Sequence, residues 1–248
     1  MDDTTLLLSA AFLCVALLFS SVGHAGGSGY LAVMALVGLA PDTMRPTALA
    51  LNIVVAGLVT LRFHAAGLVS WRSVVPFVAA SIPLAFLGGA LVLPAQAYKP
   101  LVGAVLLFAA YRLFAAAGTT ETDPDRGPDV PTLPALLVGG SIGLLAGLTG
   151  TGGGVFLTPL LLVAGWARAR AAAGISAAFI LANSIAGLAG NVASVQALPA
   201  ALPLWLAVVA AGGLVGAELG ARRLAVPTLR RLLAVVLVVA GLKLIFLG

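Results

Sequence analysis

The chain has 248 residues, of which 61% are hydrophobic and 8% charged, with a net charge of +5 and a mean hydropathy of +1.16. So few polar side chains cannot cover a water-facing globule, which excludes a soluble fold and leaves an all-α polytopic membrane protein. The basic residues flank apolar segments, so the pI of about 10.1 reads as membrane topology and not as affinity for nucleic acid; the partner implied is the lipid bilayer.

In chain order, the opening "MDDTT" is acidic and lacks the basic region of a signal peptide, so the apolar run Leu6–Val22 reads as retained structure. Cys14, the single cysteine, cannot form an internal disulfide and reads as an apolar filler. The glycine cluster "GHAGGSG" at 23–29 follows, then apolar segments at Tyr30–Ala40, Thr47–Leu61, Val74–Leu93 and Leu101–Ala117. Residues 118–132, "GTTETDPDRGPDVPT", hold four acids and three prolines and form a solvated linker. Five more apolar segments come after it, at Leu136–Leu148, Val155–Ala164, Ala171–Val195, Ala201–Leu219 and Leu232–Leu247. The long-short order repeats, and "GTGGG" at 150–154 holds the place of the first glycine cluster. An internal duplication accounts for this: a first repeat 1–117, the linker 118–132 and a second repeat 133–248, together one membrane domain.

The segment after each glycine cluster has about ten residues, so as a helix it extends only about 15 Å and covers half a membrane. Irregular glycine backbone at membrane depth must be buried in protein or line a cavity. Each half therefore reads as a Gly-rich broken or re-entrant helix pair followed by three spanning helices. Charge placement gives the orientation. The loop between segments three and four carries Arg62, His64 and Arg72 in the first half and only "QALP" in the second. The next loop reverses the bias, with Lys99 in the first half and Arg222, Arg223, Arg230 and Arg231 in the second. Equivalent loops thus lie on opposite sides, as inverted repeats require, with the linker cytoplasmic and both termini periplasmic in a multi-pass protein of the cell inner membrane.

Two inverted hairpins bring two helix N-termini together near the midplane, each with free N–H groups and about half a positive charge. That is an anion site built from backbone. Its expected members are Gly26, Gly27, Ser28 and Gly29 in the first turn and Thr149, Thr151, Gly152, Gly153 and Gly154 in the second, with hydroxyls adding donors. Asn52 and Asn183 hold matching places in the third segment of each half and join the site or serve as interhelical glue. His24 is the histidine expected near the midplane, as a proton carrier or a brace for the turn. Arg45, at the outer end of segment three, draws an anion outward or anchors the interface; Arg168 and Arg170, near the cytoplasmic side, gather substrate or anchor in the same way. Gly139, Gly143 and Gly147, like Gly212, Gly216 and Gly220, follow the four-residue spacing of helix packing.

The two glycine turns, above all "GTGGGVFLTPLLL", together with the duplicated layout and the length, resemble the sulfite exporter (TauE/SafE) family of bacterial membrane proteins. The first copy departs from the triple glycine, reading "AGGSGYLAVMAL" with Met34 where the second has Pro159. The resemblance implies export of sulfite or small organosulfonates such as sulfoacetate, with no catalytic chemistry and no cofactor or metal. A channel for a small neutral solute or another small anion is the alternative, and a homodimer is an open option. An intramembrane hydrolase would need a third group to orient Ser28 and His24, and none accompanies them. No Asp or Glu is expected deep in the membrane. Moving a monoanion out of a negative interior releases ~2.3 kcal/mol per 100 mV, which suffices for export without proton coupling.

Overall fold

The computed structural model describes residues 3–115, 130–191, 198–221 and 227–246. Most of the linker expected at 118–132, the basic pair Arg222 and Arg223, and the end of the segment expected to reach Val195 lie outside them. The described residues form ten helices and no strand: α1 (Asp3–Ser20), α2 (Gly27–Leu36), α3 (Pro41–Ala65), α4 (Trp71–Ala90), α5 (Ala95–Ala115), α6 (Thr132–Thr149), α7 (Gly154–Val163), α8 (Ala169–Gly190), α9 (Leu202–Ala221) and α10 (Pro227–Phe246). Six of them, α1, α3, α4, α6, α8 and α9, are long and apolar enough to cross a membrane. The protein is an all-α polytopic membrane protein.

Two helices begin well before their apolar runs. α3 starts at Pro41, whose missing N–H costs nothing at a first helical position, and α5 starts at Ala95. Hydropathy sets where a helix is greasy, and proline and capping set where it starts. The helix starts also correct the match between the halves. α2 begins at Gly27 and α7 at Gly154, so Ala32, not Met34, is the counterpart of Pro159.

Close packing runs along glycine rows. A Cβ on Gly143 would fall 2.6 Å from the Cα of Ser81, while Gly139 meets Phe77 and Gly147 meets Ala85. Steps of four on both helices in the same direction make α6 parallel to α4. Gly212, Gly216 and Gly220 meet Leu13, Leu17 and Ser21 in the same way, so α9 runs parallel to α1. Without a hydrophobic drive between helices in lipid, this close backbone approach is what binds them. Gly143→Ala or Gly216→Ala is expected to cost about 1–3 kcal/mol of stability through overpacking, with anion affinity unchanged; melting curves with and without ligand check both halves of that statement.

The remaining packing follows one rule. α3 lies on α8 and α9, α8 on α3 and α4, and α5 on α10. Exchanging α1–α5 for α6–α10 maps each of these contacts, and α1·α9 with α6·α4, onto one another. The contacts of α2 break the rule, since it also touches α5 while α7 has no comparable contact with α10 among the described residues. α2 is seated on α10, where Lys243 donates to the Leu36 carbonyl at 2.8 Å. Its counterpart α7 meets α5 lightly, through the stacked rings of Phe108 and Phe156 at 5.1 Å, and leaves Val163 82% exposed.

The fold has two ends. Arg45 meets the last carbonyls of α4 at one end, and at the other Arg62 of α3 faces Glu218 of α9 at 3.9 Å. α1 therefore starts at the Arg45 end and α2 returns to it, so each opening pair enters and leaves on one side.

Candidate functional site

The first glycine turn is tied to the end of α1: His24 N–H bonds to the Phe19 carbonyl at 2.9 Å and Gly23 N–H to that of Ser20 at 3.1 Å. The chain then extends through Ala25, whose carbonyl accepts from the Tyr30 hydroxyl at 2.7 Å. Gly26 caps α2 in the left-handed region, with φ 105°, where a Cβ would be strained. The first bond within α2 runs from Tyr30 N–H to Gly26 O at 2.9 Å. The N–H groups of Gly27, Ser28 and Gly29 precede it and have no partner within the helix. No side chain caps this end.

The second turn reaches the same condition by a tighter route. α6 ends at Gly150 (φ 85°), and Gly152 and Gly153 are also left-handed at 77° and 85°. Thr149 bonds back to Leu145 O at 2.7 Å and meets the Thr151 hydroxyl at 2.9 Å; the Tyr98 hydroxyl donates to Thr149 O at 3.0 Å. α7 then starts with Gly153 as its cap and, again, no capping side chain. The two turns touch. A Cβ on Gly27 would collide with the Asn52 amide and the Thr151 carbonyl, so the helix ends of α2 and α7 meet where α3 and α8 cross.

Two groups at that meeting point, the Asn52 amide and the Ser184 hydroxyl, and a third, Asn183 next to Ser184 on α8, carry polar atoms without hydrogen-bond partners. Asn52 and Asn183 are fully buried. Asn52 donates to Gly150 O at 3.5 Å while its Oδ1 is unpartnered, and both amide atoms of Asn183 and the Ser184 hydroxyl have no partner. A Cβ on Gly152 would sit 3.0 Å from the Asn52 amide nitrogen and 3.1 Å from Ser184 Oγ. Burying an amide without partners is costly, so such a cluster signals a ligand.

The Arg62 end opens toward this point. A cavity of about 260 Å³ is lined by His24, Thr158, Arg112 and Arg170 among apolar side chains of α1, α3, α5 and α7. At its floor His24 Nε2 lies 3.2 Å from both Gly154 O and Thr158 Oγ1, its Nδ1 lies 3.1 Å from Val22 O, and Thr158 donates to Ser176 at 2.7 Å. The Arg45 end is tightly packed among the described residues. Arg45, 6% exposed, donates to Leu91 O at 2.9 Å and to Gly89 O and Asn191 Oδ1, both at 2.7 Å. Only about 20 Å³ remains beside it.

The expected site residues divide accordingly. Gly27, Asn52, Thr151 and Gly152 gather at the meeting point, with Ser28 next in the chain, and His24 and Gly154 join it to the cavity, while Gly26 faces Val15 and Tyr30. Gly29 packs on Val15 and Phe19 of α1, and Gly153 on Ile142 and Phe179; both shape the turns from behind. The Thr149 hydroxyl is engaged within its own turn. Asn183 is buried beside Ser184 on α8. Arg45, expected to draw an anion outward, has its guanidinium committed to three acceptors. Sequence reasoning missed Ser184, Tyr98 and Thr158, and also Arg112, which lines the cavity. An adjacent Asn-Ser pair within an apolar helix was the available signal for Ser184. Among the described residues no three His, Cys, Asp or Glu side chains gather as a metal site would require.

The sequence profile of the family described as Sulfite exporter TauE/SafE matches residues 8–244. The chain is also 44% identical, over 99% of its own length and 100% of the other's, to the probable membrane transporter protein y4hK of Sinorhizobium fredii (strain NBRC 101917 / NGR234). No solved structure matches it. Uncapped helix ends beside buried unpartnered polar atoms, reached from one face of a helical membrane fold, fit a transporter; the chain belongs to the sulfite exporter TauE/SafE family and is a membrane transporter, not an enzyme.

Proposed function

We propose that the protein exports sulfite or a small organosulfonate such as sulfoacetate, held near the midplane by the N-termini of α2 and α7. The observation that carries this reading is the pair of uncapped helix ends meeting beside Asn52, Asn183 and Ser184. Aligned N–H groups and two half-charges favour an anion there without any fixed cation, and the amides and hydroxyl supply further donors. The halves 1–117 and 133–248 act as inverted repeats, a reading supported by the exchange symmetry of the helix contacts. The basic loops put the Arg62 end in the cytoplasm and both termini in the periplasm of the inner membrane. The cavity at that end then admits substrate from inside. The membrane potential drives export, and His24 is the group through which a proton would be coupled.

Ser184→Ala tests the site at small structural cost, because the hydroxyl it deletes has no partner to lose. Its melting temperature is expected to match or exceed the parent's, while affinity for sulfite and sulfoacetate falls ten- to a hundredfold, the loss of one hydrogen bond to a charged group. Thermal-shift titration measures both, and current recording in proteoliposomes shows whether charge moves. Parental affinity in Ser184→Ala, or transport of urea in place of anions with no current, would remove the helix-end anion site.

A further inference from the structure

The cavity at the Arg62 end is built for more than passage. We infer that it is a second anion site, in which Arg112 of α5 and Arg170 of α8 hold a small organic anion above His24 before it moves to the helix ends. This rests on the anion-export reading and adds a separate site to it.

Three observations carry the inference. First, Arg112 presents a buried Nε with no hydrogen-bond partner, in a wall that it shares with Arg170 and that includes no carboxylate among the described residues. A buried guanidinium N–H without an acceptor is costly, and a sulfonate or carboxylate oxygen is the acceptor it matches best, as a planar fork to paired oxygens. Second, the floor is polar on one side, where His24 and Thr158 lead by way of Gly154 O to the start of α7. An anion leaving the arginines thus meets the helix end next. Third, the rest of the wall is apolar, with Phe19, Phe63, Val155 and Leu162. About 260 Å³ far exceeds a bare three-oxygen anion, which displaces roughly two to three waters of ~30 Å³ each. The spare space is greasy, so the ligand that fits carries an alkyl body behind its charged head.

The experiment compares the parent with Arg112→Gln, Arg170→Gln, the double variant and Arg112→Lys in proteoliposomes of neutral lipid. Initial rates are measured against concentration for sulfite and for straight-chain alkanesulfonates of one to four carbons. In the parent, apparent affinity is expected to rise about fourfold per methylene until the cavity is full. Each Gln variant should raise KM about tenfold with kcat unchanged, the double variant more, and Lys should recover part of the loss. A purely structural role for the arginines would lower the melting temperature and kcat together.

An unchanged KM in a folded double variant overturns the second site. A parental affinity that ignores chain length overturns the organic anion. Arginine effects that appear only after phosphatidylglycerol is added would give the cavity to a lipid phosphate and overturn the proposal equally. The midplane reading fails separately, through parental binding in Ser184→Ala, so either site can fall while the other stands.

Discussion

Asn183→Leu is expected to raise the melting temperature and to abolish anion binding. Leucine keeps asparagine's branched outline and its number of heavy atoms, and Asn183 is fully buried with neither amide atom partnered. Removing such an amide should stabilise the fold by about 1–3 kcal/mol. If Asn183 were interhelical glue, its removal would instead destabilise, since glue is by definition bonded. The opposite movements of stability and affinity are the signature of a group kept for a ligand. Binding should fall at least a hundredfold, because the variant loses a donor to a charged ligand and sets an isobutyl group in its place. A variant that melts below the parent and still binds sulfite would make Asn183 a packing residue and leave the glycine turns as the whole site. Asn52→Leu is a weaker probe, since Asn52 already donates to Gly150 O at 3.5 Å and its loss mixes both effects.

What can be read from the chain follows the range of the interactions involved. Glycine marks positive φ locally, so Gly150, Gly152 and Gly153 locate the second turn from their spacing in the chain. The packing rows at Gly139 and Gly212 are equally plain, because four-residue spacing is a property of one helix. Half-length α2 and α7 follow from counting residues. The partners of Arg45 lie 44, 46 and 146 residues away, and no local pattern announces them. The same holds for Tyr98, which reaches Thr149 across 51 residues, and for Arg112, whose place at a helix end resembles simple snorkelling. The orientation of each turn glycine is also hidden. Gly152 and Gly153 are neighbours in sequence and conformation, yet a Cβ on the first would point at Asn52 and Ser184 and on the second at Ile142 and Phe179. Alanine at either position strains the turn, and at Gly152 the added methyl group also faces the site.

Arg45→Met is expected to produce the largest loss of stability of any single exchange considered, on the order of 3 kcal/mol. The methionine keeps most of the buried stem and removes the guanidinium alone. What it leaves behind decides the size of the effect. Gly89 O and Leu91 O end α4, and Asn191 follows the last residue of α8, so the cation sits at the negative ends of two helices, satisfying carbonyls at the end of α4 and the Asn191 side-chain oxygen at the end of α8. Charged hydrogen bonds contribute about 1.5–3 kcal/mol each in water-soluble proteins, and polar contacts between membrane helices average nearer ~0.6, which brings three contacts to a few kcal/mol in all. Arg45→Lys keeps the charge but reaches fewer acceptors, and should fall between methionine and the parent. Thermal melts of the three proteins in one detergent give the order. A methionine variant that melts with the parent would mean that water replaces the guanidinium at once, and the Arg45 end would then be open to solvent. Loss in the expected order identifies Arg45 as the tie that holds α3, α4 and α8 together on the side away from the cavity.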